Sequence, residues 1–226
     1  MGIKQVHIRS TTYRAISTQY PPIDLFENLC PKHDYEQACK WEMLTSDRIR
    51  NNRIPHQDCV FGDGASFVMA PFFYKTPPGR FSTDLFGGYY ASRLEKTSIW
   101  EKSYHLGRFI AATEDEAFST GLNILILKGS IECRLHTTKE LPYTDPIYDK
   151  TSYTASQRIA KELYNQNSNG IAYNSVRHTN NTCYVIYKPK LVGIPIQTKK
   201  LALHFNGTQI DKYFENDNWH ELPIDS

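Results

Sequence analysis

A glycine-rich turn that leads into a short strand and a long helix constrains this chain more than any other feature. The turn Phe86-Gly87-Gly88 interrupts an extended segment, and Tyr89-Tyr90-Ala91 is typical of a strand. From Ser92 onward the apolar residues recur with a helical period, and Ser92 and Glu95 have the spacing of a capping box. The sequence therefore predicts a turn, a strand and a helix in direct succession.

The predicted helix brings one carboxylate to the border of its buried face. Its apolar stripe consists of Ile99, Ser103, Leu106 and Ile110. Glu101 falls on a neighbouring line of the helix, together with Leu94, His105 and Arg108. Such a carboxylate is a candidate for catalysis. The structural alternative is an exposed glutamate that pairs with His105 at i+4.

Length and composition favour one globular α+β domain over residues 1–226. The 226 residues suit one large domain or two small ones, and 40% hydrophobic residues are ample for a core. Neither repeats nor a low-complexity linker divides the chain. The net charge of +2 is spread along the sequence, so neither direct nucleic-acid binding nor membrane binding is expected. The apolar run 124–127 is too short to span a bilayer and Met1 leads into polar sequence, which favours a cytoplasmic protein.

Further elements follow from periodicity. One or two helices are expected within 24–53 and another helix over 154–165, where Thr154 and Gln157 suggest a second capping box. A polar loop at 174–178 separates two of the expected strands. Strands are expected at 5–16, 66–69 with 72–74, 122–128, 131–136, 170–173, 183–187 and 201–205, the last followed by a turn and a polar end.

The cysteines give little sign of a metal site. Five cysteines occur at 30, 39, 59, 133 and 183, without a C-x-x-C pair, and only Cys30 has a histidine close by, at His33. Reduced and mostly buried thiols are the simpler interpretation. We therefore predict no metal.

Three ordered motifs resemble the RES-domain family. They are G-R-F-S-x-x-x-F-G-x-Y-Y-A at 79–91, I-W-E-x-x-Y-H at 99–105 and S-N-G-I-A-Y-N-S-V-R-H at 168–178. The likeness extends from Thr12-Tyr13-Arg14 to about Phe205, and the segment 21–62, which does not map onto the motifs, is a candidate helical elaboration. One departure is Phe81, where the family often has Trp.

The resemblance implies a fold similar to ADP-ribosyltransferase toxins, with a β-sheet core, flanking helices and a cleft. It also implies a bacterial toxin that degrades NAD+. NAD+ would then be a substrate and not a cofactor, in keeping with the lack of a Rossmann fingerprint: Gly62-x-Gly64 has no third glycine and precedes a strand-like run.

The family's functional positions map onto named residues here. Glu101, Arg80 and Ser175 match its catalytic positions, and Arg14, Tyr13, Tyr90, Arg80 and Ser175 are expected to bind NAD+. Nicotinamide leaves as a neutral molecule, so one carboxylate opposing the developing positive charge could suffice. An arginine fork suits pyrophosphate, and an aromatic face suits the cationic nicotinamide ring.

Alternatives stay open at this point. The acceptor of ADP-ribose could be inorganic phosphate (an NAD+ phosphorylase), water (an NAD+ glycohydrolase) or a protein (a mono-ADP-ribosyltransferase), and a non-catalytic binding module is a further alternative. By resemblance, the partner is expected to be a cognate helix-turn-helix (Xre-like) antitoxin whose tail blocks the cleft. A homo-oligomer and delivery into another cell are compatible with the sequence.

Overall fold

The computed structural model describes residues 3–18, 31–34, 37–38, 41, 55–74, 77–113 and 121–223. The helices expected within 24–53 lie almost entirely outside these residues, which include a 3₁₀ turn at Lys32–Asp34 and helical residues at 37–38 and 41. Cys30 and Cys39 also lie outside them. The helical elaboration over 21–62 therefore stays a prediction.

Eight strands form one mixed sheet in the order β1-β2-β5-β4-β3-β6-β7-β8, and β1 also pairs with β3. This additional pairing closes β1 to β5 into a five-stranded ring, and β6, β7 and β8 continue from β3 as a C-terminal extension. The β3–β4 pair is parallel. The strands are β1 (Gln5–Ser17), β2 (Tyr89–Ser92), β3 (Asn123–Thr137), β4 (Gly170–Asn174), β5 (Thr182–Ile186), β6 (Ile196–Phe205), β7 (Ile210–Glu215) and β8 (Asn218–Glu221).

Three complete helices within the described residues flank the sheet: α1 (Ala65–Phe73), α2 (Glu95–Ala111) and α3 (Thr154–Asn165). The mixed α+β prediction is confirmed, as are the helix over 154–165 and the strands at 5–16, 89–91, 170–173 and 183–187. The two segments 122–128 and 131–136 belong to one long strand, β3. No helix among the described residues has the length and apolar character needed to cross a membrane.

The strand expected at 66–69 and 72–74 is wrong, because these residues form α1. A short apolar run does not separate a buried strand from a buried helix. Val68 and Phe72 face the core inside the ring, whereas Met69 and Phe73 pack into a second apolar cluster. The helix is therefore buried on more than one side, which removes the periodicity that would have revealed it.

The capping box expected at Ser92 and Glu95 is also wrong. Helix α2 begins at Glu95, and its N-cap Leu94 makes no side-chain capping bond. Ser92 belongs to β2, where its Oγ lies 3.4 Å from Cys183 Sγ. Glu95 instead binds Lys199 Nζ at 2.5 Å. Tertiary partners therefore replace the local bonds that the spacing predicts.

Helix α3 departs from its expected cap in the same way. It begins at Thr154 with Tyr153 as N-cap, without a side-chain capping bond. Gln157 Nε2 donates to the carbonyl of Gly79 at 2.9 Å. The second predicted capping box is therefore wrong, and Gln157 ties α3 to the turn that precedes β2.

The C-terminal region is more regular than its polar sequence suggests. The strand at 201–205 begins earlier, at Ile196, and the turn after it is confirmed, with Gly207 at a φ of 94°. Two further strands, β7 and β8, follow in place of the polar end that we expected. All four residues of β8 are exposed, so this strand lacks the apolar alternation by which a sequence reveals a sheet.

Helix α2 packs closely against strand β7. The predicted stripe of Ile99, Ser103, Leu106 and Ile110 is buried, which confirms the orientation of this helix. A Cβ on Gly107 would lie 2.9 Å from Ile210 N, so only glycine allows this approach without a shift. The helix that carries Glu101 is thereby held rigidly on the extension.

Candidate active site

Glu101 projects from α2 toward the loop that follows β4. This serine loop, residues 175–181, is docked on the helix by His178, whose Nδ1 lies 2.8 Å from Thr97 Oγ1 and whose ring contacts Trp100 at 4.2 Å. Ser175 Oγ donates to Glu101 Oε1 at 2.6 Å. Two residues that are 74 positions apart in the sequence therefore meet directly.

The direction of the Ser175 hydroxyl is fixed by its surroundings. Ser175 is fully buried, and its Oγ accepts hydrogen bonds from the backbone N–H groups of Arg177 at 3.2 Å and His178 at 2.9 Å. A serine hydroxyl has one proton and two lone pairs. Since both lone pairs are occupied, the proton must point to Glu101, and Ser175 acts here as a donor that orients the carboxylate.

The pKa of Glu101 is raised, first because burial disfavours the charged form. The hydrogen bond from Ser175, the nearby charges of Arg177 and Arg80, and the Cys183 thiol lower it in part. The surface pair with His105 that we considered is not formed, because the described hydrogen-bond partners of Glu101 are Ser175 and Cys183. Glu101 is therefore part of a buried polar site.

Two buried arginines flank this carboxylate. Arg80 is 7% exposed; its Nη1 donates to the Ile147 carbonyl at 2.7 Å, and its guanidinium lies 4.7 Å from the centre of the Tyr153 ring. Arg177 is 9% exposed and donates from Nη2 to the Lys150 carbonyl at 2.5 Å. Carbonyl bonds and ring contacts orient both cations, and their positive charges act on Glu101.

Tyr90 holds the turn that carries Arg80. Its hydroxyl accepts from Phe81 N and donates to Ser82 Oγ, both at 3.0 Å. A Cβ on Gly79 would lie 2.7 Å from this hydroxyl, which explains the glycine there. Burial, the largest cause, raises the pKa of Tyr90 to about 12. The prediction that Tyr89 and Tyr90 point in opposite directions is confirmed, because Tyr89 packs inside the ring and Tyr90 packs against a different apolar cluster.

Arg14 lies on β1, the strand that pairs with β2. Its Nη1 donates to the Tyr90 carbonyl at 2.9 Å, and its guanidinium stacks 4.7 Å from the centre of the Tyr89 ring. Its Nε is buried and has no hydrogen-bond partner among the described residues. Burial, and then the charge of Arg14, lowers the pKa of Lys102 on α2 to about 8. Arg14 and Lys102 therefore form a second pair of basic side chains, and Arg14 has a buried donor without a described partner.

Tyr13 is not brought to this group of residues. It packs against the apolar cluster beneath α2, with Ala15, Trp100 and Phe205, and no described contact links its side chain to Glu101. Its proposed part in NAD+ binding stays a prediction. The structure thus gathers Glu101, Ser175 and Arg80, holds Arg80 through Tyr90, and joins Arg14 to the backbone of Tyr90.

Several residues of the site escaped the sequence analysis. Arg177 stands two positions after Ser175 within the third motif, so that motif contained a signal that was not used. Its guanidinium lies 3.3 Å from the centre of the Tyr104 ring. Tyr153, Cys183 and Lys102 gave no comparable signal, since their neighbours come from distant parts of the chain.

The chain is similar to a family model, to a bacterial protein and to a solved structure. The sequence model of the RES domain matches residues 53–206, which is more than half of the chain and leaves Tyr13 and Arg14 outside. The uncharacterized protein y4oC of Sinorhizobium fredii is 22% identical over 218 residues, covering 95% of this chain and 91% of that protein. A crystal structure of the M. tuberculosis MbcT–MbcA toxin–antitoxin complex has a TM-score of 0.47 at 8% identity, covering 88% of this chain and 87% of that one.

Proposed function

The chain belongs to the RES domain family, and from this premise we propose that it is a toxin that destroys NAD+ by cleaving the bond between nicotinamide and ribose. The observation that carries the proposal is the 2.6 Å hydrogen bond from Ser175 to Glu101 between two buried arginines. Each of the three motifs supplies one residue: the first supplies Arg80, the second Glu101 and the third Ser175.

The chemistry needs one ionised carboxylate. As nicotinamide departs, the ribose takes on oxocarbenium character, and a negative charge fixed beside it lowers the barrier. Nicotinamide leaves as a neutral molecule, so the second carboxylate of ordinary glycosidases is not required. Ser175 and Cys183 both approach Oε1 of Glu101, and Oε2 has no hydrogen bond to a described residue. We assign Oε2 to the ribose.

The cations suit the anionic part of a dinucleotide. Arg14 has a buried Nε without a described partner, and a buried donor of this kind is normally satisfied by a ligand or water. The Lys102 ammonium is close enough for the charge of Arg14 to lower its pKa. We therefore assign the pyrophosphate to Arg14 and Lys102. The faces of Tyr90 and Tyr153 are candidates for contact with the nicotinamide ring.

A time course of NAD+ with purified protein tests the proposal. Nicotinamide and ADP-ribose products are followed by chromatography, with and without inorganic phosphate. We expect loss of NAD+ in the wild type and a decrease of about 100- to 1,000-fold in Glu101→Gln. Glu95→Gln is the matched control, because it makes the same change on the same helix and should keep wild-type activity.

The products decide the acceptor. Loss that depends on phosphate identifies a phosphorylase, and loss without phosphate identifies a glycohydrolase. NAD+ that stays intact in every condition with folded protein would contradict the proposal, and labelled NAD+ would then be used to search for a modified protein. The family resemblance also leads us to propose a helix-turn-helix antitoxin as partner. If this is correct, expression of the chain alone should arrest cell growth, and co-expression of the antitoxin should restore it.

A further inference from the structure

A buried thiol lies beside the same carboxylate oxygen that Ser175 binds. Cys183 is on β5 and is 1% exposed. Its Sγ donates to Glu101 Oε1 at 3.9 Å, a long distance that the size of sulfur permits, and lies 3.4 Å from Ser92 Oγ. Cys183 thus stands between a buried hydroxyl on β2 and the candidate catalytic glutamate.

This thiol is suited to donate and not to attack. Burial, and then the negative charge of Glu101, raises the pKa of Cys183 well above its ordinary value. A neutral thiol has one proton, and if that proton is given to Glu101, the Ser92 hydroxyl must be the donor in the Ser92–Cys183 contact. Ser92, Cys183 and Glu101 then form a chain of hydrogen bonds with one direction.

We infer that Cys183 is a positioning residue for the reaction: its thiol, held by Ser92, acts with Ser175 to bind Oε1 of Glu101 and to leave Oε2 directed at the substrate. The inference rests on the proposed function. Two donors that reach one oxygen from β5 and from the serine loop restrict rotation of the carboxylate. Such restriction keeps a catalytic group in productive geometry before the substrate arrives.

Four other ionisable groups interact electrostatically with Glu101 and therefore also influence its titration. Two of them are cations and two are phenols, and they come from four different segments of the chain. They are Arg80 before β2, Arg177 in the serine loop, Tyr153 before α3 and Tyr173 on β4. A Cys183 variant leaves all four in place, so a change in the titration of Glu101 would report the thiol itself.

The test compares Cys183→Ala with Cys183→Ser and with Cys133→Ala. Cys133 is a buried thiol on β3 inside the ring, and it serves as a matched deletion away from Glu101. The rate of NAD+ cleavage is measured against pH at saturating substrate. The pKa of the Glu101 carboxyl is measured separately by NMR of isotope-labelled glutamate, with Glu101→Gln assigning the signal.

We expect Cys183→Ala to lower kcat about two- to tenfold and to move both the acid limb of the profile and the carboxyl pKa to higher pH, because a donor to the ionised form is lost. Cys183→Ser should return both toward wild type, since its hydroxyl is also a donor. Cys133→Ala should change neither.

An unchanged carboxyl pKa in folded Cys183→Ala would overturn the inference, as would a loss of kcat that serine does not restore. If Cys183→Ala does not fold, Ser92→Ala provides the second variant and should shift the carboxyl pKa in the same direction by less. A wild type that leaves NAD+ intact at every pH would contradict the proposed function alone, because the carboxyl titration still decides the role of Cys183.

Discussion

Helix α2 carries two glutamates that the fold treats in opposite ways. Glu95, at its first residue, binds Lys199 at 2.5 Å, and Lys199 also binds Glu215. Glu101 has neutral hydrogen-bond donors, Ser175 and Cys183. The two arginines whose charge reaches Glu101 use described hydrogen bonds to backbone carbonyls for their own orientation.

The difference separates a structural carboxylate from a reactive one. A direct ion pair neutralises Glu95, and the pKa of Lys199 is raised first by the hydrogen bond to Glu215 and then by that to Glu95. Neutral donors hold Glu101 in place while its charge remains available to a cationic transition state. The raised pKa of Glu101 is the consequence of burying that charge.

Among these predictions, the largest effect is expected on the rate of NAD+ cleavage when Glu101 loses Ser175, its principal hydrogen-bond donor. We expect Ser175→Ala to lower the rate of NAD+ cleavage about 10- to 100-fold, because a hydrogen bond to a charged group is lost and two backbone N–H groups lose their acceptor. Ser103→Ala is the control: this serine of α2 is also buried, but its Oγ has no described hydrogen-bond partner. Equal kinetics in Ser175→Ala and wild type would show that Glu101 needs no orientation.

Opposite changes in stability should follow when each glutamate is made neutral. We expect Glu101→Gln to stabilise the protein at pH 7 by on the order of 1 kcal/mol, because a buried charge disappears. Glu95→Gln should destabilise it by up to about 1 kcal/mol, because an ion pair is lost. Denaturant unfolding measures both, and a less stable Glu101→Gln protein would contradict the inference that burial of the charged Glu101 carboxylate costs stability.

The ionisation of Glu101 should make both stability and activity depend on pH, in opposite directions. Since the pKa of Glu101 is raised in the folded state, the folded protein binds this proton more tightly than the unfolded chain. As pH rises from the ordinary pKa of a glutamate to the raised one, wild type should lose stability and gain activity. Glu101→Gln should lack this loss of stability, and a profile identical to wild type in unfolding experiments from acid to neutral pH would refute the link.

The smallest effect is expected at Lys199. Its side chain is 39% exposed, so solvent screens its ion pairs. We expect Lys199→Met to cost less than about 1 kcal/mol of stability, to cost less still at high salt, and to leave NAD+ cleavage unchanged. A kinetic defect as large as that of Ser175→Ala would mean that the two ends of α2 are coupled.

Much of the site was predictable, because its residues lie in motifs with a local pattern. The period of Ile99, Ser103, Leu106 and Ile110 placed Glu101 at the edge of a buried face, and the structure agrees. The alternation of a strand put Tyr89 and Tyr90 on opposite faces. The family resemblance named Arg80 and Ser175, which the fold brings to Glu101.

The wrong or missed elements have one feature in common, which is that the surroundings of each segment mattered more than its local pattern. Ser92 has the spacing of a helix cap but is bound to Cys183, which is 91 positions away, and Gln157 is bound to Gly79. Helix α1 looked like a strand because it is buried on more than one side, and β8 lacked apolar alternation because it is exposed. In each case a partner distant in sequence, or solvent, outweighed the local preference.

The sequence by itself determined the α+β class, the orientation of α2 and the motif residues, because helical and strand periods are local and a few spacings suffice to show them. Tertiary structure alone decided which oxygen of Glu101 is held, which cations surround it and where Tyr13 lies. Those outcomes depend on contacts of β2 and α2 with β4, β5 and the serine loop. The Ser175–Glu101 contact joins residues 74 positions apart and the Ser92–Cys183 contact joins residues 91 positions apart, and no periodicity connects such distant segments.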